Sequence, residues 1–231
     1  MLDDSVLHAL NTVARSLGEA REVDEVLHSI VVVACDSLPE IDHAGISITH
    51  RDGSIETRAW SDELVTELDQ LQYDLNEGPC MDAVDPSVPD DIVRVDDARH
   101  EQRWPNFIPA AISHGLRSQL GLRIYTEDKT VGGLNLYSTS TSAISHESEL
   151  VAELFATHAA TALGRVRKES QLTKALETRA LIGQATGIVM ERYGLDSHRA
   201  FDYLTRVSMT GNVKLRDLAA QLVGEATSRQ R

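Results

Sequence analysis

The C-terminal third of the chain contains the stretch ALIGQATGIVMERYG, residues 180–194. Its apolar residues recur at helical spacing up to Gly194. Gly183 and Gly187 lie inside this pattern, although a glycine within a helix costs about 1 kcal/mol relative to alanine. Because they are four residues apart, they share one face of the helix. This pattern indicates close helix–helix packing or the close approach of a ligand backbone, and both can hold.

The same helical pattern extends back to Ser145, which is predicted to cap the helix. The run is far longer than the usual helix of about 11 residues. Residues 165–169 form a polar interruption, and such helices often pair with a second copy of themselves. The sequence therefore predicts a homodimer through the long helix, with a break near Gly164 as the alternative. Five apolar residues of its first half are expected to pack on the N-terminal domain: Leu150, Val151, Leu154, Phe155 and Ala162.

Two shorter helices are predicted after Gly194. Asp196 or Ser197 is expected to cap the first, and Asn212 is expected to cap the second. Phe201 is interpreted as a core residue. Since three short helices bury only a small core, this part needs support from the long helix or from a second copy.

The composition limits the class of protein. With 231 residues, of which 42% are hydrophobic, the chain can bury one large core or two small ones. No apolar run approaches the ~18 residues of a membrane helix. The N-terminus lacks a signal-peptide pattern, so a cytoplasmic location without membrane contact is expected. Two cysteines, Cys35 and Cys80, exclude a disulfide framework, and the histidine spacing predicts no metal site and no cofactor.

The net charge of −14 is unevenly distributed. Residues 164–231 contain 12 Lys and Arg against 7 Asp and Glu, whereas residues 1–163 contain 10 against 29. A polyanion would be repelled by the acidic part and attracted to the basic part. The predicted domains are residues 1–165 and residues 166–231.

The N-terminal part alternates between helical and strand patterns. Helices are predicted over residues 2–17, 23–38, 62–75 and 102–114, and strands over 44–48, 55–60, 92–95, 116–125 and 130–138. Hairpin turns are predicted at residues 51–53 and 127–129. Strands that are mostly joined by hairpins favour an α+β domain, an antiparallel sheet with helices on its faces.

Residues 180–194, the pair Ala200-Phe201 and the run KLRDLA at 214–219 closely resemble the ANTAR family of RNA-binding antitermination domains. This resemblance covers residues 172–225. Residues 10–163 resemble a GAF domain through the element order, the run GPCMDA at 78–83 and the motif Arg103-Trp104-Pro105-x-Phe107. The motif at residues 103–107 is familiar from actinobacterial GAF–ANTAR proteins. The sequence signature of GAF domains that bind cyclic nucleotides does not occur.

The resemblance implies an RNA-binding regulator of transcription antitermination. A dimeric ANTAR domain would bind paired stem-loops in a leader transcript, controlled by a GAF sensor that binds a small molecule the sequence does not identify. The candidate RNA contacts are Lys174, Arg179, Gln184, Thr186, Arg192, Arg199, Tyr203, Arg206, Ser208, Lys214 and Arg216.

Several of these residues have a chemical rationale beyond the resemblance. Arg199, Tyr203 and Arg206 share one helical face, where an aromatic ring between two guanidiniums suits an RNA loop; the alternative is a solvated face. Lys214 and Arg216 stand at a helix start, which favours phosphate. The family commonly has a lysine where this chain has Thr186, so one contact with phosphate is in doubt.

The remaining chemistry-bearing residues allow simpler interpretations. Cys80 is either a redox-sensing thiol or, more simply, a small buried residue. Glu63, Glu67 and Asp69 are interpreted as solvated surface. No Ser-His-Asp order, P-loop or H-E-x-x-H motif occurs, so no enzymatic activity is expected. The alternative function is a dimeric GAF sensor whose C-terminal helices bind a protein partner or DNA.

Overall fold

The computed structural model describes residues 22–50, 52–126 and 129–228, except for the side chains of residues 167 and 170. The helix predicted over residues 2–17, Arg51 of the first predicted hairpin turn and residues 127–128 of the second lie outside these ranges. The rest of the first turn is confirmed, since the Gly53 N–H donates to the His50 carbonyl at 3.1 Å. The chain forms two compact units, one ending at Val166 and the other beginning at Arg167.

The first unit is built on a five-stranded antiparallel sheet with the strand order β2-β1-β5-β4-β3. This arrangement confirms the predicted α+β fold. In chain order its elements are α1 (Val23–Ser37), β1 (His43–Thr49), β2 (Ile55–Trp60), α2 (Glu63–Leu75), α3 (Pro79–Val84), β3 (Ile92–Val95), a 3₁₀ turn (Ala98–His100), α4 (Phe107–Ser113), β4 (Ser118–Thr126), β5 (Lys129–Ser138) and the first part of α5 (His146–Tyr193).

Helices cover both faces of the sheet. On one face, α1 and α5 bury Leu27, Ile30 and Phe155 against the sheet residues Ile46 and Leu134. On the other face, residues of α2, α3 and α4 pack with Trp104 and the sheet residue Tyr137. The sheet is therefore the middle of three layers.

On the second face, α3 lies directly against β4 and β5. A methyl group added at Gly121 would lie 2.6 Å from the carbonyl oxygen of Pro79, and one added at Gly133 would lie 3.3 Å from the Val84 side chain. Only glycine leaves room for a backbone at this distance. The chain's own helix thus fills the space above these two strands.

The helix predicted over residues 102–114 is shorter than expected. It begins at Phe107, because Pro105 has no N–H and disfavours helix before it. The Glu77 carboxylate accepts hydrogen bonds from the backbone N–H groups of Asn106 at 2.9 Å and Phe107 at 3.0 Å. A side chain from the loop between α2 and α3 therefore caps the first turn of α4.

Helix α5 is continuous over 48 residues, so the alternative of a break near Gly164 is wrong. The backbone N–H of Ser148 donates to Ser145 Oγ at 3.2 Å, which confirms the predicted cap. Leu150 and Leu154 do not pack on the sheet but are 47% and 40% exposed. Each lies about 100° round the helix from the buried residue that follows it, Val151 or Phe155, and therefore faces away from the sheet.

The second unit comprises the rest of α5 with α6 (Ser197–Thr210) and α7 (Leu215–Ser228). The Asp196 carboxylate caps α6 by accepting from the Arg199 N–H at 2.9 Å. Five residues form the buried core: Ala185, Val189, Ala200, Leu204 and Ala219. None of the helices in the described part of the chain is long and apolar enough to cross a membrane.

Asn212 does not cap the last helix, so that prediction is wrong. Its φ of 49° places it in the left-handed region, whereas a capping residue has an extended backbone. Helix α7 begins three residues later, and the Lys214 carbonyl accepts from the N–H groups of Asp217 and Leu218. Asn212 instead forms the turn between α6 and α7.

Candidate nucleic-acid interface

The two glycines inside α5 are not explained by packing within the chain. Gly183 and Gly187 are exposed, and a methyl group at either would meet nothing within 4 Å beyond the adjoining turns of α5 itself. Close contact with α6 or α7 therefore does not require them. Since alanine would stabilise the helix at both positions, this surface is suited to close approach by another molecule.

Gly187 lines an open groove between α5 and α7. Gln184 and Arg192 lie on the α5 side of this groove, and Val223 and Thr227 on the α7 side. The groove thus combines a bare backbone, an amide that can donate and accept hydrogen bonds, and a guanidinium that suits phosphate, beside the exposed carboxylate of Glu191. Gly183 lies one turn before Gly187 on the same side of α5, and we call Gly183, Gln184 and Gly187 the glycine face.

A second groove, between α5 and α6, contains Lys174 and Arg179 together with Phe201. Phe201 is 44% exposed, so the prediction that it is a core residue is wrong. Ala200 and Leu204 occupy the buried positions of α6, and Phe201 lies about 100° away from Ala200. An exposed ring beside two cations can stack on a base while they hold phosphates, so we add Phe201 to the candidate contacts.

An aromatic ring on α6 lies beside an aromatic ring at the end of α5. The ring centroids of Tyr193 and Tyr203 are 5.4 Å apart and the planes are tilted by 42°. Arg199 and Arg206 are exposed on α6. The structure therefore places Tyr203 beside a partner, Tyr193, that the sequence pattern did not single out.

Two of the candidate contacts have hydroxyl groups that donate to backbone carbonyls nearby. Thr186 is only 8% exposed, and its hydroxyl donates to the Ile182 carbonyl at 2.8 Å. The Ser208 hydroxyl donates to the Val213 carbonyl at 2.6 Å. Both hydroxyls are engaged by local backbone, so the structure does not bring them together with the exposed candidates.

Lys214 and Arg216 are exposed at the start of α7, where Arg216 Nε lies 3.1 Å from Asp217 Oδ1. They form a separate basic patch.

Comparison with known protein families matches a GAF domain to residues 20–164 and an ANTAR domain to residues 170–223. The chain is a GAF–ANTAR protein. ANTAR domains are RNA-binding antiterminator domains and GAF domains are sensors, so the general architecture joins a sensor to an RNA-binding part. The actinobacterial type stays a prediction.

Solved structures support the GAF fold. The GAF domain of a phosphoenolpyruvate-protein phosphotransferase from Coxiella burnetii matches with a TM-score of 0.58 and 18% identity, over 73% of this chain and 99% of that one. A GAF domain of the same enzyme type from Acinetobacter gives 0.57 and 13%, over 74% and 99%. Free methionine-R-sulfoxide reductase from Neisseria meningitidis gives 0.57 and 13%, over 73% and 95%. These identities show the fold alone. No curated protein matches the sequence significantly.

The GAF domain buries a carboxylate that the sequence pattern assigned to solvated surface. Asp69 is fully buried, so that interpretation is wrong. Its carboxylate accepts hydrogen bonds from Thr57 Oγ1 at 2.6 Å, from Asn135 Nδ2 at 3.0 Å and from the Tyr137 hydroxyl. Val65, Leu68 and Asp69 share one face of α2, and that spacing is the signal that could have indicated burial.

Burial raises the pKa of Asp69 to about 6, although hydrogen bonds with four side chains, those of Thr57, Tyr137, Asn135 and Tyr73, lower it. No Lys, Arg or His of the described residues forms an ion pair with it. Tyr73, Tyr137 and Cys80 face the same buried network, and burial raises the pKa of each. In the described part of the GAF domain, Asp69 is therefore a buried acid without a compensating cation.

Neither cysteine is a reactive thiol in this structure. Cys80 is fully buried, and burial raises the pKa of its thiol to about 12. Burial likewise raises the pKa of Cys35 to about 11. Since the thiolate is the reactive form, these values favour the interpretation of Cys80 as a small buried residue. Within residues 22–228 as described, no group of three or more His, Cys, Asp or Glu side chains could hold a metal ion.

Proposed function

We propose that this GAF–ANTAR protein is a transcription antitermination regulator. A dimer of the ANTAR domain binds paired stem-loops in a leader transcript, and the GAF domain controls that binding in response to a signal. Holding both hairpins prevents a competing terminator from forming, so binding energy shifts an RNA folding equilibrium and no catalysis is needed. The protein acts in the cytoplasm, where transcripts are made.

The exposed glycine face is the observation that carries this proposal. Two glycines that the chain does not need for its own packing lie on this face, and one of them, Gly187, lines a groove with the Gln184 amide and the Arg192 guanidinium. RNA loops offer splayed bases and a closely spaced phosphate backbone, which a bare helix surface can approach. Phe201 with Lys174 and Arg179 supplies a second surface of stacking and charge.

Binding to RNA is tested by titrating the full chain against an RNA with two hairpins that carry hexanucleotide loops. We expect selective binding that weakens as salt is raised, because Lys and Arg contacts release counterions from phosphate. An RNA with scrambled loops and a DNA duplex of equal length are the controls. Equal affinity for all three, or no binding at low salt, would overturn the proposal in favour of a protein or DNA partner.

Pairing of two chains through α5 is supported by exposed leucines in the ANTAR unit. Leu172 and Leu176 are 64% and 59% exposed and lie four residues apart, on one side of the helix. The unit buries only a small core of its own. A second copy of α5 would cover this apolar stripe and enlarge that core.

The variant Leu172→Glu with Leu176→Glu is expected to be monomeric. Each buried leucine is worth about 1.5–3 kcal/mol, so losing both weakens the dimer at least about 100-fold. Sedimentation equilibrium of the full chain measures this. Gln171→Glu with Thr173→Glu adds the same charge on exposed positions of α5 and should leave the dimer intact. A double-leucine variant that stays dimeric would place the pairing surface elsewhere.

A further inference from the structure

The GAF domain contains a cavity of about 310 Å³ between the β3–β4 edge of the sheet and the first part of α5. Ile92 and Leu122 form its wall on the sheet side, and Ala156 and Ala160 form its wall on α5. Its volume lies at the lower end of the range of about 300–1,000 Å³ that is typical of small-molecule sites. A compact ligand with an apolar body therefore fits this space.

Among the residues that the structure describes, one cation lines the cavity, Arg123, and its guanidinium is bound to backbone carbonyls. Arg123 Nε donates to the Ala83 carbonyl at 2.5 Å, and Nη2 donates to the carbonyls of Asp85 at 2.9 Å and Val88 at 2.8 Å. Its Nη1 lies 3.0 Å from Asp91 Oδ1. Arg123 thus neutralises Asp91 and has little capacity left to bind an anion.

Two other side chains give the cavity its chemical character. Glu153 is exposed on α5 and makes no ion pair with any residue in the described ranges. The ring of Tyr125 is 55% exposed at the same cavity. An aromatic ring and an unpaired carboxylate beside an apolar wall are complementary to a flat, positively charged organic molecule.

We propose that this cavity binds an organic ammonium ion carrying a flat aromatic group. The aromatic group lies between Tyr125 and the apolar walls, and the ammonium group pairs with Glu153. The acidic excess of residues 1–163 favours entry of a cation over an anion.

The position of the cavity suits a sensor. On the opposite face of the sheet, α3 fills the space above Gly121 and Gly133. This cavity, in contrast, has α5 as a wall, and the same helix continues into the ANTAR unit. A ligand here would touch the helix directly. The sensory role rests on the proposed function, whereas binding itself is measured without RNA.

Isothermal titration calorimetry of the full chain tests the site with three indole probes of different charge. Tryptamine is a cation, tryptophol is neutral and indole-3-propionate is an anion. We expect tryptamine to bind about five-fold more tightly than tryptophol, and indole-3-propionate to bind least. Equal affinity for all three probes, or no measurable binding of tryptamine at millimolar concentration, would overturn the proposal.

Two variants locate the binding. Glu153→Gln is expected to remove the preference for tryptamine over tryptophol, and Ala160→Leu to abolish binding of both by filling the cavity. Glu147→Gln makes the same charge change on an exposed position of α5 that does not line the cavity, and it should leave binding unchanged. If Ala160→Leu does not fold, Glu153→Gln decides alone. A charge preference that survives Glu153→Gln would contradict the assignment.

Discussion

Replacing Gly183 and Gly187 together with alanine is expected to stabilise the ANTAR domain and weaken RNA binding at least tenfold. The gain in stability is about 1 kcal/mol for each glycine, because both positions are helical, exposed and open. The loss of affinity follows because each methyl group projects from the surface where the RNA backbone is placed. A tenfold loss of RNA affinity corresponds to about 1.4 kcal/mol of binding free energy, which is a modest cost for displacing the RNA at two positions.

A variant that is more stable but binds RNA more weakly cannot owe its loss of affinity to a damaged fold, because a damaged fold would also lower the stability. Thermal unfolding followed by circular dichroism gives the stability, and titration with the two-hairpin RNA gives the affinity. Gly224→Ala is the matched control, because Gly224 is exposed in α7 with nothing within 4 Å and does not line the groove with Gly187. It should raise stability and leave RNA affinity unchanged.

The oligomeric state of the glycine variant is measured at the same time. If RNA affinity stays at the wild-type level while stability rises, the RNA contacts lie elsewhere, with the groove at Phe201 as the next surface to test. If the dimer dissociates instead, the glycine face serves contact between two copies of α5. Both results would contradict the assignment of this face to RNA.

Local patterns in the sequence were sufficient for most of the secondary structure. Alternation at Ala44, Ile46 and Ile48 predicted a strand of the sheet, and the cap residues Ser145 and Asp196 predicted two helix starts. These features depend on residues close together in the chain, since side-chain alternation and capping act over one or two turns. The α+β fold followed from them.

The errors arose where partners are distant in the sequence. A pattern does not state which side of α6 meets α5, so the sequence predicts a core position for Phe201 although Ala200 and Leu204 fill the core. The sequence predicts a surface position for Asp69 because its hydrogen-bond partners on β2 and β5 are visible only in the fold. The candidate RNA contacts came mainly from family resemblance, and the structure divides them among several surfaces.

The buried Asp69 is expected to make the stability of the GAF domain fall as pH rises from about 4 to about 6. Its pKa is about 6 in the folded protein and near 3.8 in the unfolded chain, so the folded state binds more protons between these values. Raising the pH through this window therefore favours the unfolded chain. A shift of this size amounts to about 3 kcal/mol at most.

Other carboxylates act in the opposite sense at lower pH. A hydrogen bond from Arg103 lowers the pKa of Glu101 to about 2, so its stabilising contribution is lost as pH falls below about 4.5. The wild-type profile is the sum of both kinds of group. The contribution of Asp69 is therefore isolated as the difference between the wild type and Asp69→Asn.

Asparagine at position 69 keeps an oxygen that can accept from Tyr137 or Asn135, and its amide can donate to the Thr57 hydroxyl. We therefore expect Asp69→Asn to fold and to gain up to about 3 kcal/mol relative to the wild type between pH 4.5 and pH 8. Urea unfolding followed by the fluorescence of Trp60 and Trp104 measures this, because both tryptophans of the chain lie in the GAF domain.

Asp74→Asn changes an exposed aspartate on the same helix and should follow the wild-type profile. Parallel profiles for the wild type and Asp69→Asn above pH 4 would mean that the hydrogen bonds to Asp69 balance or outweigh its burial, so that its pKa is not raised. A stability difference that shifts in favour of Asp69→Asn as pH rises from about 4 to about 6 would mean that burial prevails and that the folded wild type holds a proton up to about pH 6. Since Asp69 lies on α2 and its partners lie on β2 and β5, that proton would bind where the helix meets the sheet.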